Sequence, residues 1–470
     1  MGRMRVHPVV RDFHRRLSLI APAVILAFGL SGCLTVGPDY EEPSEPAPDL
    51  WHQDLVAGLD DGTGDIMRWW ETLGDPALDQ LIARAREGNP TLKAAVAGMR
   101  EARALRQIAA GERVPDVNID GEVSRNRFSD DAGGDTPFID QYQTFYSYGP
   151  TVLWEVDFWG RVRRSVASAD ANFQASIEDY RDALVLLYAE VALTYTEVRA
   201  LQARIEYTLG NIETQRSALR LVQDRNRAGL ASDLEVHQAE LNLYRTESFL
   251  PSLRGALVGA VNRLGVLIGQ PPGTLHAELG VQQPIPGVPA DVLVGVPGEL
   301  VRRRPDIRSA ERTLASQTEQ IGIATAALYP TFNILGRFAI FSTDEGDITE
   351  WDNRQWTLGT FFDWNLFDGG RVRGRIEVED ARTEQALRNY EQSVLDALEE
   401  VETAMSDYQQ EQLRTAALER SVVAAERSVE LVLILYRTGL TDFQNVLDMQ
   451  RSLFEQQDEL AESEGQVTQN

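Results

Sequence analysis

The 470-residue chain holds a single cysteine, Cys33, and a single lysine, Lys93, and both scarcities exclude chemistry. One thiol cannot close an internal disulfide, so the fold is not stapled oxidatively. No glycine-rich phosphate loop with a following lysine occurs, which leaves nucleotide hydrolysis without an apparatus. The five histidines, His7, His14, His52, His237 and His276, show no metal-ligand spacing. A serine-nucleophile elbow is absent as well. The expectation is therefore a protein without catalytic residues, metal or bound cofactor. Positive charge is also short, with 45 Lys and Arg against 72 Asp and Glu. Once residues 1–32 are set aside, 40 basic and 71 acidic residues remain, a net charge of −31. Such a chain is not built for nucleic acid, although much of the charge can be solvated helix face.

What the N-terminus does contain is Arg3, Arg5, Arg11, Arg15 and Arg16, followed by an apolar run from Leu17 to Gly29. That is the layout of a secretory signal, and the run is too short to span a bilayer. It closes on Leu30-Ser31-Gly32-Cys33, which resembles the lipobox of bacterial lipoproteins. In that pattern cleavage leaves Cys33 as a diacylated N-terminus, a tether that usually acts with a second anchor. The alternative is a chance cysteine in a cleaved signal or a core. Residues 1–32 are read as the signal peptide and 33–85 as a lipidated, extended and equatorial segment.

The rest of the chain is duplicated. Gly160-Arg161-Val162-Arg163 returns as Gly370-Arg371-Val372-Arg373, an offset of 210 shared by Trp154 and Trp364. Arg227-Ala228-Gly229-Leu230 and Arg437-Thr438-Gly439-Leu440 keep it too. Upstream, Asn89-Pro90 and Val114-Pro115 match Arg304-Pro305 and Tyr329-Pro330 at an offset of 215. Repeat 1 covers 86–285, with a hairpin at about 114–157, a long helix 161–229 and a return helix 233–269. Repeat 2 covers 286–470, with a hairpin at about 329–367, a long helix 371–439 and a return helix 443–465. Two copies are fewer than a solenoid needs.

In the hairpins Val117, Ile119, Gly121 and Val123 alternate with polar residues, and Tyr146, Tyr148, Val152, Trp154 and Val156 continue the pattern. The second copy offers Phe332, Ile334, Phe338 and Ile340, then Trp356, Leu358, Phe362, Trp364 and Leu366. Period two with one apolar face means strands, four in all. Half-buried hairpins would explain the alternation alone. Aromatic residues near the strand ends favour lipid instead. Four strands cannot close a barrel, and open edges are not tolerated in hydrocarbon, so more than one copy is implied.

The long helices each run 69 residues without proline, from Arg161 to Gly229 and from Arg371 to Gly439. At about 1.5 Å per residue each is roughly 100 Å long. Apolar positions from Val166 through Tyr195, Leu201 and Leu209 to Ile212 take 13 steps over 46 residues, close to a coiled-coil period. Leu387, Tyr390, Val394, Leu398, Val401, Met405 and Tyr408 repeat the rhythm. Coiling for structure alone accounts for the stripe. A helix this long still cannot cover it within one compact domain, and a tube of packed hairpins would.

Arg68-Trp69-Trp70-Glu71 with Asp75-Pro76-Ala77-Leu78-Asp79, Arg303-Arg304-Pro305-Asp306-Ile307 and Ala326-Ala327-Leu328-Tyr329-Pro330 resemble the TolC-like outer-membrane factor family. Gly37-Pro38-Asp39-Tyr40 after the lipid cysteine resembles its lipoprotein branch, which serves multidrug efflux. The resemblance implies a mixed, mainly α homotrimer whose three sets of four strands close a twelve-stranded outer-membrane β-barrel. A helical coiled-coil tunnel continues that barrel into the periplasm. It implies a periplasmic adaptor and an inner-membrane proton-driven pump as partners, together with outer-membrane lipids. It also implies that the turns at Gly229-Leu230 and Gly439-Leu440 form the tip where the adaptor docks. Asp448 is the expected aperture carboxylate, while Asn445 stands where a second acidic ring would require a carboxylate. Tyr436 and Glu235 match positions that hold family gates closed. The return helix of repeat 1 runs through Leu267-Ile268-Gly269, whose partners would lie near 477–479, so the C-terminus reads as short.

Three functions remain open. The first is an exit duct for small toxic compounds. The second is the exit duct of a type I protein secretion system, and the third is a periplasmic coiled-coil scaffold whose hairpins never enter lipid.

Overall fold

The computed structural model describes residues 35–44, 48, 50–53, 55, 56, 58–60, 62, 66–127, 142–289 and 292–470. The signal-like stretch and Cys33 lie outside these residues. In chain order, β1 (Leu59–Asp60), a 3-10 segment Ile66–Leu73, α1 (Pro76–Gly88) and α2 (Pro90–Gly111) precede β2 (Asp116–Arg127) and β3 (Tyr142–Val156). The long helix α3 (Arg161–Arg227) turns back as α4 (Asp233–Leu267), followed by α5 (His276–Leu279), β4 (Val292–Leu293), α6 (Pro297–Arg303) and α7 (Pro305–Ala326). Then come β5 (Thr331–Ser342), β6 (Arg354–Asp363), the second long helix α8 (Arg371–Thr438) and α9 (Phe443–Gln469). The protein is mainly helical with one four-stranded antiparallel sheet. No described helix is long and apolar enough to cross a membrane.

The chain divides into two compact units. The first comprises residues up to Pro43, Arg100–Ala175 and Ala310–Asn389. Its sheet has the order β2-β3-β5-β6, so β2 and β6 are edges. Val117 faces Val152, Trp154 faces Ile334, Val156 faces Phe332, and Phe332 in turn faces Phe362. Directly opposed residues of an antiparallel pair share a face, so these apolar positions build one surface. The alternation read from sequence extends to Trp364 and Leu366, but β6 ends at Asp363. The cause is Pro330: Asp363 pairs with Thr331, and the next partner has no N–H to donate.

The residues shortly after Cys33 are pinned in this unit. Val36 donates its backbone N–H to the Trp159 carbonyl at 3.1 Å. The buried Arg164 donates to the Gly37 carbonyl and to Asp39 and Glu319, the last two at 2.8 and 2.9 Å. A buried guanidinium needs such full pairing to be tolerated. Tyr40 donates to Glu311 in the same group.

The second unit comprises Ser44–Met99, Ser176–Ser309 and Tyr390–Asn470. Its main core joins Leu78, Leu81 and Ile82 of α1 to Leu187, Val191, Tyr195 and Val198 of α3, with Leu264 and Ile268 beside them. Asp75 starts α1 by accepting from the Ala77 N–H at 2.9 Å, ahead of a helix-compatible Pro76 at N1. The Tyr195 hydroxyl donates to the same carboxylate at 2.6 Å, which ties α3 to that cap. β1 and β4 pair in parallel as a two-residue clip. A second core joins Val222, Ala239, Val432, Tyr436, Phe443, Val446 and Leu447.

Within one chain the apolar stripe of α3 is not covered throughout. Leu209 is 44% exposed, whereas Thr208, Asn211 and Gln215 take the buried positions around it. They are partly accommodated: Asn211 donates to Gln457 of α9 at 2.7 Å.

Candidate functional site

The sheet has one apolar and one mainly polar face. Val117, Ile119, Val123, Trp356, Leu358 and Phe362 stand on the apolar face and are all exposed, Ile119 to 82%. On the other face stand Asn118, Asp120, Glu122, Glu155, Asn333, Thr357 and Arg337, whose guanidinium donates to the Ser147 hydroxyl at 3.2 Å. A continuous exposed apolar face marks contact with lipid or another protein. Two tryptophans at one end are satisfied at their polar tips. Trp159 stacks on Tyr329 at 4.6 Å and donates its indole N–H to the Pro330 carbonyl, while Trp364 donates to the Leu328 carbonyl. At the opposite end Arg354 lies over the Trp351 ring at 4.6 Å. Amphipathic rings with one polar end are the residues suited to a membrane interface.

The second feature is the pair of turns after α3 and α8. Gly229 and Gly439 have φ of 74° and 76°, the left-handed conformation that glycine adopts without a Cβ penalty. In each turn the glycine N–H bonds the carbonyl three residues back and the next leucine bonds five back: Gly229 to Asn226 and Leu230 to Arg225, Gly439 to Tyr436 and Leu440 to Leu435. Both are Schellman motifs, which satisfy the last carbonyls of a helix. Leu230 and Leu440 project from them, exposed.

Between the turns the side chains interlock. Tyr436 is 3% exposed and donates its hydroxyl to Glu235 at 2.6 Å. Burial first, and then the Glu235 hydrogen bond, push that hydroxyl far above its ordinary range, so it stays a neutral donor. Arg225 lies over the Tyr436 ring at 4.8 Å and donates to the Tyr436 and Arg437 carbonyls, each at 3.1 Å. Phe443 packs 5.1 Å from Tyr436.

Of the residues singled out from sequence, Tyr436 and Glu235 are thus brought together. Asp448 and Asn445 lie on an exposed face of α9. Asp448 accepts from Gln444 at 2.9 Å and Arg451 at 3.2 Å, and Asn445 donates to the Thr441 hydroxyl at 2.8 Å. Arg225 escaped the sequence reading, because its partners lie 211 and 212 residues away. Aligning the repeats at offset 210 offers a signal: Arg225 corresponds to Leu435 and Glu235 to Asn445, so the copies differ where they touch. Among the described residues, no group of three or more His, Cys, Asp and Glu could hold a metal ion.

Comparison with known proteins gives the class. The model of the outer membrane efflux protein family matches residues 81–270 and 296–470, and the chain belongs to that family. The pyoverdine export outer membrane protein OpmQ of Pseudomonas aeruginosa is 30% identical over 91% of this chain and 91% of its own length. Nodulation protein T of Rhizobium leguminosarum bv. trifolii is 29% identical over 92% and 91%. Among solved structures, the outer-membrane channel OprN is 33% identical with a TM-score of 0.86, covering 92% of this chain and 96% of that one. The protein is an outer-membrane exit channel component, and its family and relatives are channel proteins.

Proposed function

We propose that three copies close a twelve-stranded barrel whose apolar faces meet outer-membrane lipid, and that their helices continue it as a periplasmic tunnel. The observation that carries this is the pairing of two open edges, β2 and β6, with one exposed apolar face. An open sheet in hydrocarbon leaves a row of unpaired backbone groups at each edge, and closure by further copies satisfies them all. Cys33 carries the lipid that assists anchoring. The exposed Leu230 and Leu440 present the tip to a periplasmic adaptor, which joins the duct to a proton-driven inner-membrane pump. The Tyr436–Glu235 link holds the tip shut, and Asp448, with Asn445 beside it, faces the aperture. Conduction is passive, and the cargo is small toxic compounds, in keeping with relatives named for export of pyoverdine and efflux of toluene.

The test is the mass of the detergent-solubilised protein together with planar-bilayer recording. A trimer with ion conductance is expected. A monomer without conductance, extracted free of detergent once Cys33→Ser removes the lipid, would favour the scaffold instead.

A further inference from the structure

We propose that Arg225 is the positioning residue of the tip: it grips the end of α8 so that the Tyr436 hydroxyl reaches Glu235. The inference rests on the gate reading above and names the residue that regulates it. Three observations converge on this side chain. Its Nη1 donates to two successive carbonyls, Tyr436 and Arg437, in the last turn of α8. The Tyr436 carbonyl also accepts from the Gly439 N–H, and both carbonyls carry the negative end of the helix dipole, so a cation there is favoured. The planar face of the same guanidinium lies 4.8 Å from the centre of the Tyr436 ring, which orients the ring as well as the backbone. The Nε–H is buried with no hydrogen-bond partner among the described residues, so Arg225 gives up a bond to hold this pose.

Glu235 alone would not select the pose. Its Oε1 is engaged by Ser232 at its own helix start, and only Oε2 accepts from Tyr436. With Arg225 removed, the end of α8 would keep its own turn, since Gly439 and Leu440 cap it internally. The hydroxyl would then lose its registration against the neighbouring hairpin rather than its fold. Release of the tip, not unfolding, is the consequence.

The full chain reconstituted in planar bilayers tests this. Arg225→Ala should raise open probability about tenfold, the loss expected of a charge-assisted contact. Tyr436→Phe in that background should add little, because the two substitutions remove one device. Arg225→Lys keeps the charge without the planar fork and should fall between. A lowered melting temperature of the Arg225→Ala oligomer with unchanged open probability would reduce Arg225 to a helix cap and overturn the proposal. So would a silent Arg225→Ala beside an opened Tyr436→Phe. If Tyr436→Phe and Glu235→Gln are themselves silent, the gate reading fails, and the role of Arg225 goes with it.

Discussion

The two turns share a backbone and differ in what they hold. At the first, Asn226 donates to the Ala231 carbonyl and to Asp233 at 3.0 Å each, closing the turn on itself. At the second, the corresponding residue is Tyr436, which reaches out of its own hairpin to Glu235 and is flanked by Arg225 and Phe443. The residue matching Phe443 is the polar Asp233. Duplication thus kept the Schellman motif, whose demand is met by one glycine, and let the surrounding side chains diverge. The first turn is closed by its own Asn226, whereas the second is held by Arg225 and Glu235 of the first. A dependent element is the one free to move when its contacts are broken.

The comparison breaks most visibly at Tyr436. Tyr436→Ala deletes a buried ring, a hydrogen bond and a cation contact, and should loosen the α8–α9 turn by about 3–5 kcal/mol. Asn226→Ala removes bonds at an exposed turn, for about 1 kcal/mol. Amide hydrogen exchange at the ends of α3 and α8 would measure both. Equal loss of protection would show that the two turns are not unlike after all.

How much of this could be read from residues alone follows from the range of each interaction. The strand alternation and the Gly229 and Gly439 turns are local patterns, and the sheet with its apolar face is present as the alternation implied. The end of β6 was not legible from its own residues, since Pro330, just ahead of the neighbouring strand β5, sets it. The exposure of Leu209 depends on which neighbour lies across α3, a fact that helical period does not carry. Tyr436 and Glu235 were reached only through resemblance to a family. Arg225 was missed because an arginine near a helix end has an adequate local explanation, and its role lies with carbonyls of a distant helix.

A smaller effect tests the shared part. A Cβ built at Gly229 or Gly439 meets nothing within 4 Å, so the substitution cost at each is purely the left-handed backbone. Gly229→Ala and Gly439→Ala should each destabilise by about 1–2 kcal/mol, and by the same amount. Thermal unfolding of the two variants gives the difference directly. A clearly larger shift for Gly439→Ala would locate strain in the second turn beyond its motif.

The smallest expected effect separates the helices that leave the turns. Ser232 caps α4 in a reciprocal box: its hydroxyl accepts from the Glu235 N–H at 3.4 Å, and Glu235 accepts from the Ser232 N–H at 3.3 Å. Asp442 occupies the same place before α9 but makes no side-chain cap bond. Ser232→Ala should therefore cost about 1 kcal/mol, and Asp442→Ala only a few tenths. Denaturant titration resolves such a gap when the slopes of the two transitions agree. The outcome bears on the gate, because Glu235 serves the box with one oxygen and Tyr436 with the other. If Ser232→Ala loses stability while Tyr436 keeps its exchange protection, cap and latch are independent. If protection at Tyr436 falls too, the first turn sets the carboxylate on which the second one closes.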